Sequence, residues 1–240
     1  MNLEHVESLI DNGDPAAALA QVRPLVDCRP HDGRLRILAA RAYVGVCRYE
    51  DAMREYEEAT VLQPLPALAQ AQLAYCYLRC RQRQLTSLLL ARLLPYHGVI
   101  CEEALSIALK SGCKINHFKT IRDGGRNGRA RFPNNPIFWF AGGELFKNIP
   151  ERAEHYYSRA SELAPQNVDY RIAVAQQQLA LDDIDAALKT LDFDLGNVRC
   201  LANLQRVQLL HSAMDNTDGY FECHARLVAE YERILDDPHN

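Results

Sequence analysis

The chain has 240 residues, 48% of them apolar and 24% charged, with a net charge of −4. That composition supports a substantial hydrophobic core and excludes a disordered or low-complexity chain. No stretch approaches 18 uncharged apolar residues, which excludes an apolar membrane-crossing helix, and the acidic start MNLEHVESLIDNGD lacks the features of a secretory signal, so the cytoplasm is the expected compartment.

Charge is unevenly distributed. Residues 1–78 carry a net −4, residues 79–135 a net +8 and residues 136–240 a net −8. A basic middle between acidic ends points to a charged partner. The eight cysteines, Cys28, Cys47, Cys76, Cys80, Cys101, Cys113, Cys200 and Cys223, follow no disulfide-framework spacing and mostly fall within helical patterns. They are expected to be reduced thiols behaving as small buried apolar residues. Cys76 and Cys80 lie one helical turn apart, but a metal would need two further ligands, so neither a metal nor another cofactor is expected.

Taken in order, the elements repeat. Residues 1–32 read as two helices separated by Gly13-Asp14, with Leu9, Ala18, Val22 and Leu25 at helical spacing and Pro30 as a stop. Residues 33–66 give the clearest unit: Leu35, Leu38, Ala39, Ala42 and Tyr43 form one periodic face, Gly45 to Arg48 a turn, and Ala52, Tyr56 and Ala59 a second face that ends at Pro64. Residues 67–98 continue with Leu73, Ala74, Tyr77, Thr86, Leu90 and Leu93. Ala18, Ala52 and Thr86 are 34 residues apart, as are Pro30 and Pro64, and Ala153 and Ala187 resume the series one residue short. A fixed period of this length means stacked units, each unable to bury its apolar face alone.

Within the 33–66 unit, Ala39-Ala40, Tyr43, Tyr49, Ala52, Tyr56, Ala59 and Pro64 fall at the signature positions of the tetratricopeptide (TPR) repeat, which this chain strongly resembles. The resemblance covers most of the chain and implies an all-α, right-handed superhelical solenoid of about six helix hairpins.

Residues 99–133 depart from the pattern. The first helix reads normally to Ser111-Gly112, but KINHFKTIRD is then followed by GGRNGRARFPNNP. Gly124, Gly125 and Gly128 each cost about 1 kcal/mol in a helix interior, and Pro133 and Pro136 forbid continuation. The sequence therefore predicts a short helix ending near Arg122 or Asp123, and a glycine-rich loop interrupting the stack near residues 123–136. The expected divisions are 1–113, 114–136 and 137–240. Pro64 and Pro165 are 101 residues apart, against about 102 for three periods, so the stretch replaces part of a repeat instead of lengthening it. Its cations are Lys114, Lys119, Arg122, Arg126, Arg129 and Arg131.

Residues 134–167 return to the pattern with Phe140, Ala141, Ala153, Tyr157 and Ala160, residues 168–197 follow with Val174, Ala175, Ala187 and Leu191, and two longer helices close the chain around Asp215-Asn-Thr-Asp-Gly219. No nucleophile, zinc-protease or P-loop motif occurs, so no catalytic residues are assigned and an enzyme is not expected. In the TPR family a peptide or helix lies in the concave groove lined by each unit's first helix. By position, this implies a partner-binding groove of Arg34, Ile37, Arg41, Tyr75, Arg79, Phe138 and Ile172. Its apolar and basic character suits an acidic or amphipathic protein segment. The leading reading is thus a non-enzymatic adaptor, scaffold or chaperone. The alternative is binding of nucleic acid or another polyanion through the basic segment 79–135.

Overall fold

The computed structural model describes residues 3–96, 98–198 and 200–235. They are predominantly α-helical, in two compact units, residues 1–132 and 133–240. The first unit holds α1 (Leu3–Asp11), α2 (Pro15–Cys28), α3 (Gly33–Gly45), α4 (Tyr49–Leu62), α5 (Ala67–Arg79), α6 (Arg83–Leu93), α7 (Glu102–Ile115) and α8 (Gly125–Arg131). The second holds α9 (Pro136–Phe146), α10 (Pro150–Leu163), α11 (Val168–Ala180), α12 (Ile184–Leu191), α13 (Leu201–Ala213) and α14 (Thr217–Leu235). Successive pairs form antiparallel hairpins, and each first helix packs on the next pair within its unit. Among the described residues there are seven such pairs where about six were expected, because the fourth is complete.

The sequence dictates where these helices begin. Asp14 accepts a hydrogen bond from the Ala17 N–H, Asp32 from Arg34 and Leu35, and Asp183 from Ala186; Asn135 and Asn167 serve α9 and α11 in the same way. Such caps satisfy N–H groups that have no partner within the helix. The turns inside the hairpins share a second device. Gly13, Cys47 and Arg81, spaced 34 residues apart, all adopt left-handed backbone at φ +83°, +60° and +62°, and Asn116, Asp182 and Asp215 do so in later hairpins. The turn in the second hairpin therefore hinges on Cys47, while Gly45 ends α3.

Helices within a hairpin cross at a small residue. Ala18, Ala52, Thr86, Ala153 and Ala187 are all fully buried, and so is Thr120, 34 residues after Thr86. The interruption expected near residues 123–136 lies in that interval, between the two units, but it is shorter than expected. Helix runs unbroken over 118–131, with a π-helical turn at Thr120–Gly124 leading directly into α8. Gly124, Gly125 and Gly128 are buried on one side of this helix, and a Cβ on Gly112 of α7 would meet Thr120 Cγ2 at 3.1 Å. Close approach of the two backbones offsets the intrinsic cost of glycine, so packing overrides propensity. The non-helical connection is confined to residues 132–135, and the segment expected as a separate basic loop belongs to the first unit.

The cysteines also depart in part from expectation. Cys76 and Cys223 are buried, and burial pushes their thiols up to about 12 and about 11 respectively, whereas Cys28, Cys47, Cys101 and Cys200 are exposed. Among the described residues, no helix is long and apolar enough to cross a membrane.

The left-handed turns yield a direct test. A Cβ on Gly13 would meet nothing within 4 Å, so Gly13→Ala probes backbone conformation without a steric clash. It should lower unfolding stability by about 1–2 kcal/mol in urea titrations, while Cys47→Gly should raise it.

Candidate binding groove

The first helices α1, α3 and α5 shape a recess of about 250 Å³ in the first unit. Arg34, Ile37, Leu38 and Arg41 of α3 form one wall, Leu68, Ala69 and Gln72 of α5 the other, and Glu7 of α1 contributes at the edge. Counted from the start of α3, the lining residues are the second, fifth, sixth and ninth, which lie on one face of a 3.6-residue helix. Three of the residues expected from the sequence, Arg34, Ile37 and Arg41, therefore meet in one place.

Arg41 is the most constrained of them. Its Nη2 donates to Asp11 Oδ1 at 2.8 Å, which ties α3 to α1, and its buried Nε has no hydrogen-bond partner among the described residues. The ion pair holds the guanidinium at the recess wall, where the side chain is 20% exposed. Gln72 links the opposite wall to the core: its Oε1 accepts from the Tyr56 hydroxyl at 2.6 Å. Burial raises the Tyr56 pKa well above its usual value, so the phenol remains a donor. The pair locks α4 to α5 and fixes the width of the recess.

Tyr75 and Arg79 are not part of this recess. Arg79 lies over the Tyr49 ring at 4.5 Å, and its Nη1 donates to the Tyr75 hydroxyl at 3.1 Å, with the Tyr49 and Tyr75 rings edge to face at 5.7 Å. They make a cluster beside the turn that joins α3 to α4, bordered by Cys47, Arg48 and Asp51. A hydrogen bond with Cys47, followed by burial and the Tyr75 neighbour, raises the Tyr49 pKa above its ordinary value.

Two expected groove residues are corrected outright. Phe138 and Ile172 are both 0% exposed and have no surface to offer a partner. Phe138 is the third residue of α9, the position Leu35 holds in α3, and both are fully buried. Ile172 is the fifth residue of α11 but sits in a core with Leu204 and Val207, covered by α13. Inside α9, a Cβ on Gly143 would clash with the Tyr157 ring, so that glycine serves helix packing. Trp139 is half-buried, with its Nε1 donating to the Pro133 carbonyl at 2.7 Å.

Sequence reasoning missed Glu7, Leu68 and Gln72, which counting positions from the helix caps would have found. It also missed a larger depression of about 650 Å³ between α4 and α6, where Val61 is 84% and Leu88 59% exposed. Glu57 at its edge already accepts from Tyr77 at 2.8 Å, and Arg92 is its one cation. It lacks the converging polar groups of the first recess.

The basic residues of the fourth hairpin fall on helix. Lys114 lies in the last turn of α7, Lys119, Arg122 and Arg126 are exposed on the 118–131 helix, Arg129 is half-buried and Arg131 exposed.

Because Gln72 supports the wall from inside, Gln72→Leu should strand the buried Tyr56 hydroxyl and cost about 1–3 kcal/mol in unfolding stability. Arg34→Ala, which removes an exposed side chain, should change it by less than about 0.5 kcal/mol, and denaturant midpoints measured side by side check both.

No family model matches the chain, and no curated protein matches it in sequence. Solved structures do match. A chain of the APC/C hetero-tetramer Cut9–Hcn1 superposes with a TM-score of 0.73 at 13% identity, over 94% of the present chain and 45% of its own length, so the present chain spans less than half of it. A tetratricopeptide repeat protein from Parabacteroides merdae gives 0.70 at 11% identity, covering 95% and 91% of the two chains. PilF of Pseudomonas aeruginosa gives 0.62 at 14% identity, covering 86% and 99%. The 34-residue register, the small residues at the hairpin crossings and these superpositions agree: the chain has the all-α helical-repeat fold seen in tetratricopeptide-repeat proteins.

Proposed function

We propose that this chain is a protein-interaction module that holds an acidic or amphipathic segment of a partner protein in the recess between α3 and α5. The observation that carries the reading is Arg41, held by Asp11 on one side and still 20% exposed at the recess wall, beside the apolar side chains of Ile37, Leu38, Leu68 and Ala69. A segment placing a carboxylate on Arg41 and an apolar side chain against Ile37 satisfies both halves of the site. Arg34 adds a second cation at the exposed edge, where it raises the rate of encounter more than the final affinity. The fold supports this role: the first of the matching structures is an assembly of unlike chains, which fits an adaptor or scaffold. The Tyr49–Tyr75–Arg79 cluster lies apart from the recess and plays no part in this assignment.

Display selection of random peptides on the parent chain tests the reading directly. Selected peptides should pair an acidic residue with a bulky apolar one, and Arg41→Glu should weaken them at least about tenfold, or 1.4 kcal/mol, in isothermal titration. Tyr75→Ala should leave their affinity within about twofold, because Tyr75 stands outside the recess. Peptides that bind the Arg41→Glu chain as tightly as the parent would remove the recess as the site.

A further inference from the structure

The basic segment that the groove does not use is an ordered helix, and its two sides differ sharply. Gly124, Gly125 and Gly128 are buried. On the exposed side, Phe118, Arg122 and Arg126 recur at i, i+4 and i+8, with Lys119 alongside. Phe118 is 57% exposed, an unusual position for a phenylalanine, and the Arg122 guanidinium lies 5.8 Å from its ring centroid. Arg122 is oriented by two hydrogen bonds to Asp123, at 2.8 and 3.0 Å. At the far end the pairing of cation and ring recurs, with exposed Arg131 lying over the Phe132 ring at 4.7 Å.

We infer that this exposed face binds a single-stranded nucleic acid, with Lys119, Arg122 and Arg126 on successive phosphates and Phe118 stacking against a base. Cations alone suit any polyanion. An exposed ring at the start of the cation row favours one whose every unit also carries a flat aromatic face, because base stacking on phenylalanine is tolerant of sequence whereas an all-acidic polypeptide offers the ring no partner. Gly112 of α7, where a Cβ would crowd Thr120, lets the two helices pack closely, so that the row is presented on a packed element. The site is independent of the recess between α3 and α5.

The test uses the full chain and a fluorescein-labelled 12-nucleotide oligouridylate, followed by fluorescence anisotropy at 50–200 mM KCl. Binding is expected at 50 mM, with a slope of log K against log salt of about −2 for three phosphate contacts on a single strand. Lys119→Glu with Arg126→Glu should lower affinity at least about tenfold and flatten the slope; Phe118→Ala should weaken binding about five- to tenfold with the slope unchanged. Circular dichroism confirms that each variant remains helical. Should a variant lose helicity, competition on the parent chain decides: unlabelled oligouridylate should displace the tracer, and polyglutamate of equal charge should not. No binding at 50 mM salt, equal displacement by polyglutamate, or indifference to Phe118→Ala in a folded variant would each overturn the assignment.

Discussion

Everything in this structure depends on how closely two helices of a hairpin can cross. A hairpin of two amphipathic helices cannot bury its apolar faces alone, so it must pack tightly within itself and against the next pair. The small residue at the crossing makes that possible, and it recurs in the second helix of successive hairpins, from Ala18 through Ala52, Thr86 and Thr120 to Ala153 and Ala187. Larger side chains there would push the helices apart and tilt every later repeat in the unit. The left-handed turn residues, beginning with Gly13, Cys47 and Arg81, keep the same period because the crossing fixes where each second helix must start.

The recess follows from that geometry. Once the hairpins are stacked, the second, fifth and ninth positions of α3 face away from the second helices, and this is where Arg34, Ile37 and Arg41 stand. The Tyr56–Gln72 hydrogen bond and the Arg41–Asp11 ion pair then join neighbouring first helices to their surroundings. Partly exposed pairs such as Arg41–Asp11 add little stability, about 1 kcal/mol at most. Their value lies in holding a donor in place. The same stacking explains why one face of the 118–131 helix is buried while the other carries Lys119, Arg122 and Arg126 beside Phe118.

The repeat, its period and its caps were legible in the sequence because each rests on local chemistry: helical spacing of apolar residues, aspartate and asparagine at helix starts, and small residues at fixed intervals. Arg34, Ile37 and Arg41 were legible for the same reason, since α3 has a clear start at Asp32. Phe138 was misplaced by one position in the helix, which on a 3.6-residue turn moves a side chain by about 100°, from groove to core. Ile172 was misread because its cover, α13, lies some thirty residues onward in the chain, which no local pattern reports. The glycine run misled most. Glycine's cost in a helix is an intrinsic quantity that sequence reports well; the compensating contact with α7 is tertiary and is invisible until the partner helix is in place.

The account therefore turns on residues 118–131 being helix that completes a repeat. Amide hydrogen exchange followed by mass spectrometry measures this directly, residue segment by residue segment. If the glycine run crosses α7 as a packed helix, peptides spanning 120–131 should be protected to within about tenfold of those from α7 and should exchange together with them. Exchange of the same peptides at the rate of an unfolded chain, with α7 still protected, would contradict the completed repeat and the presentation of its basic face.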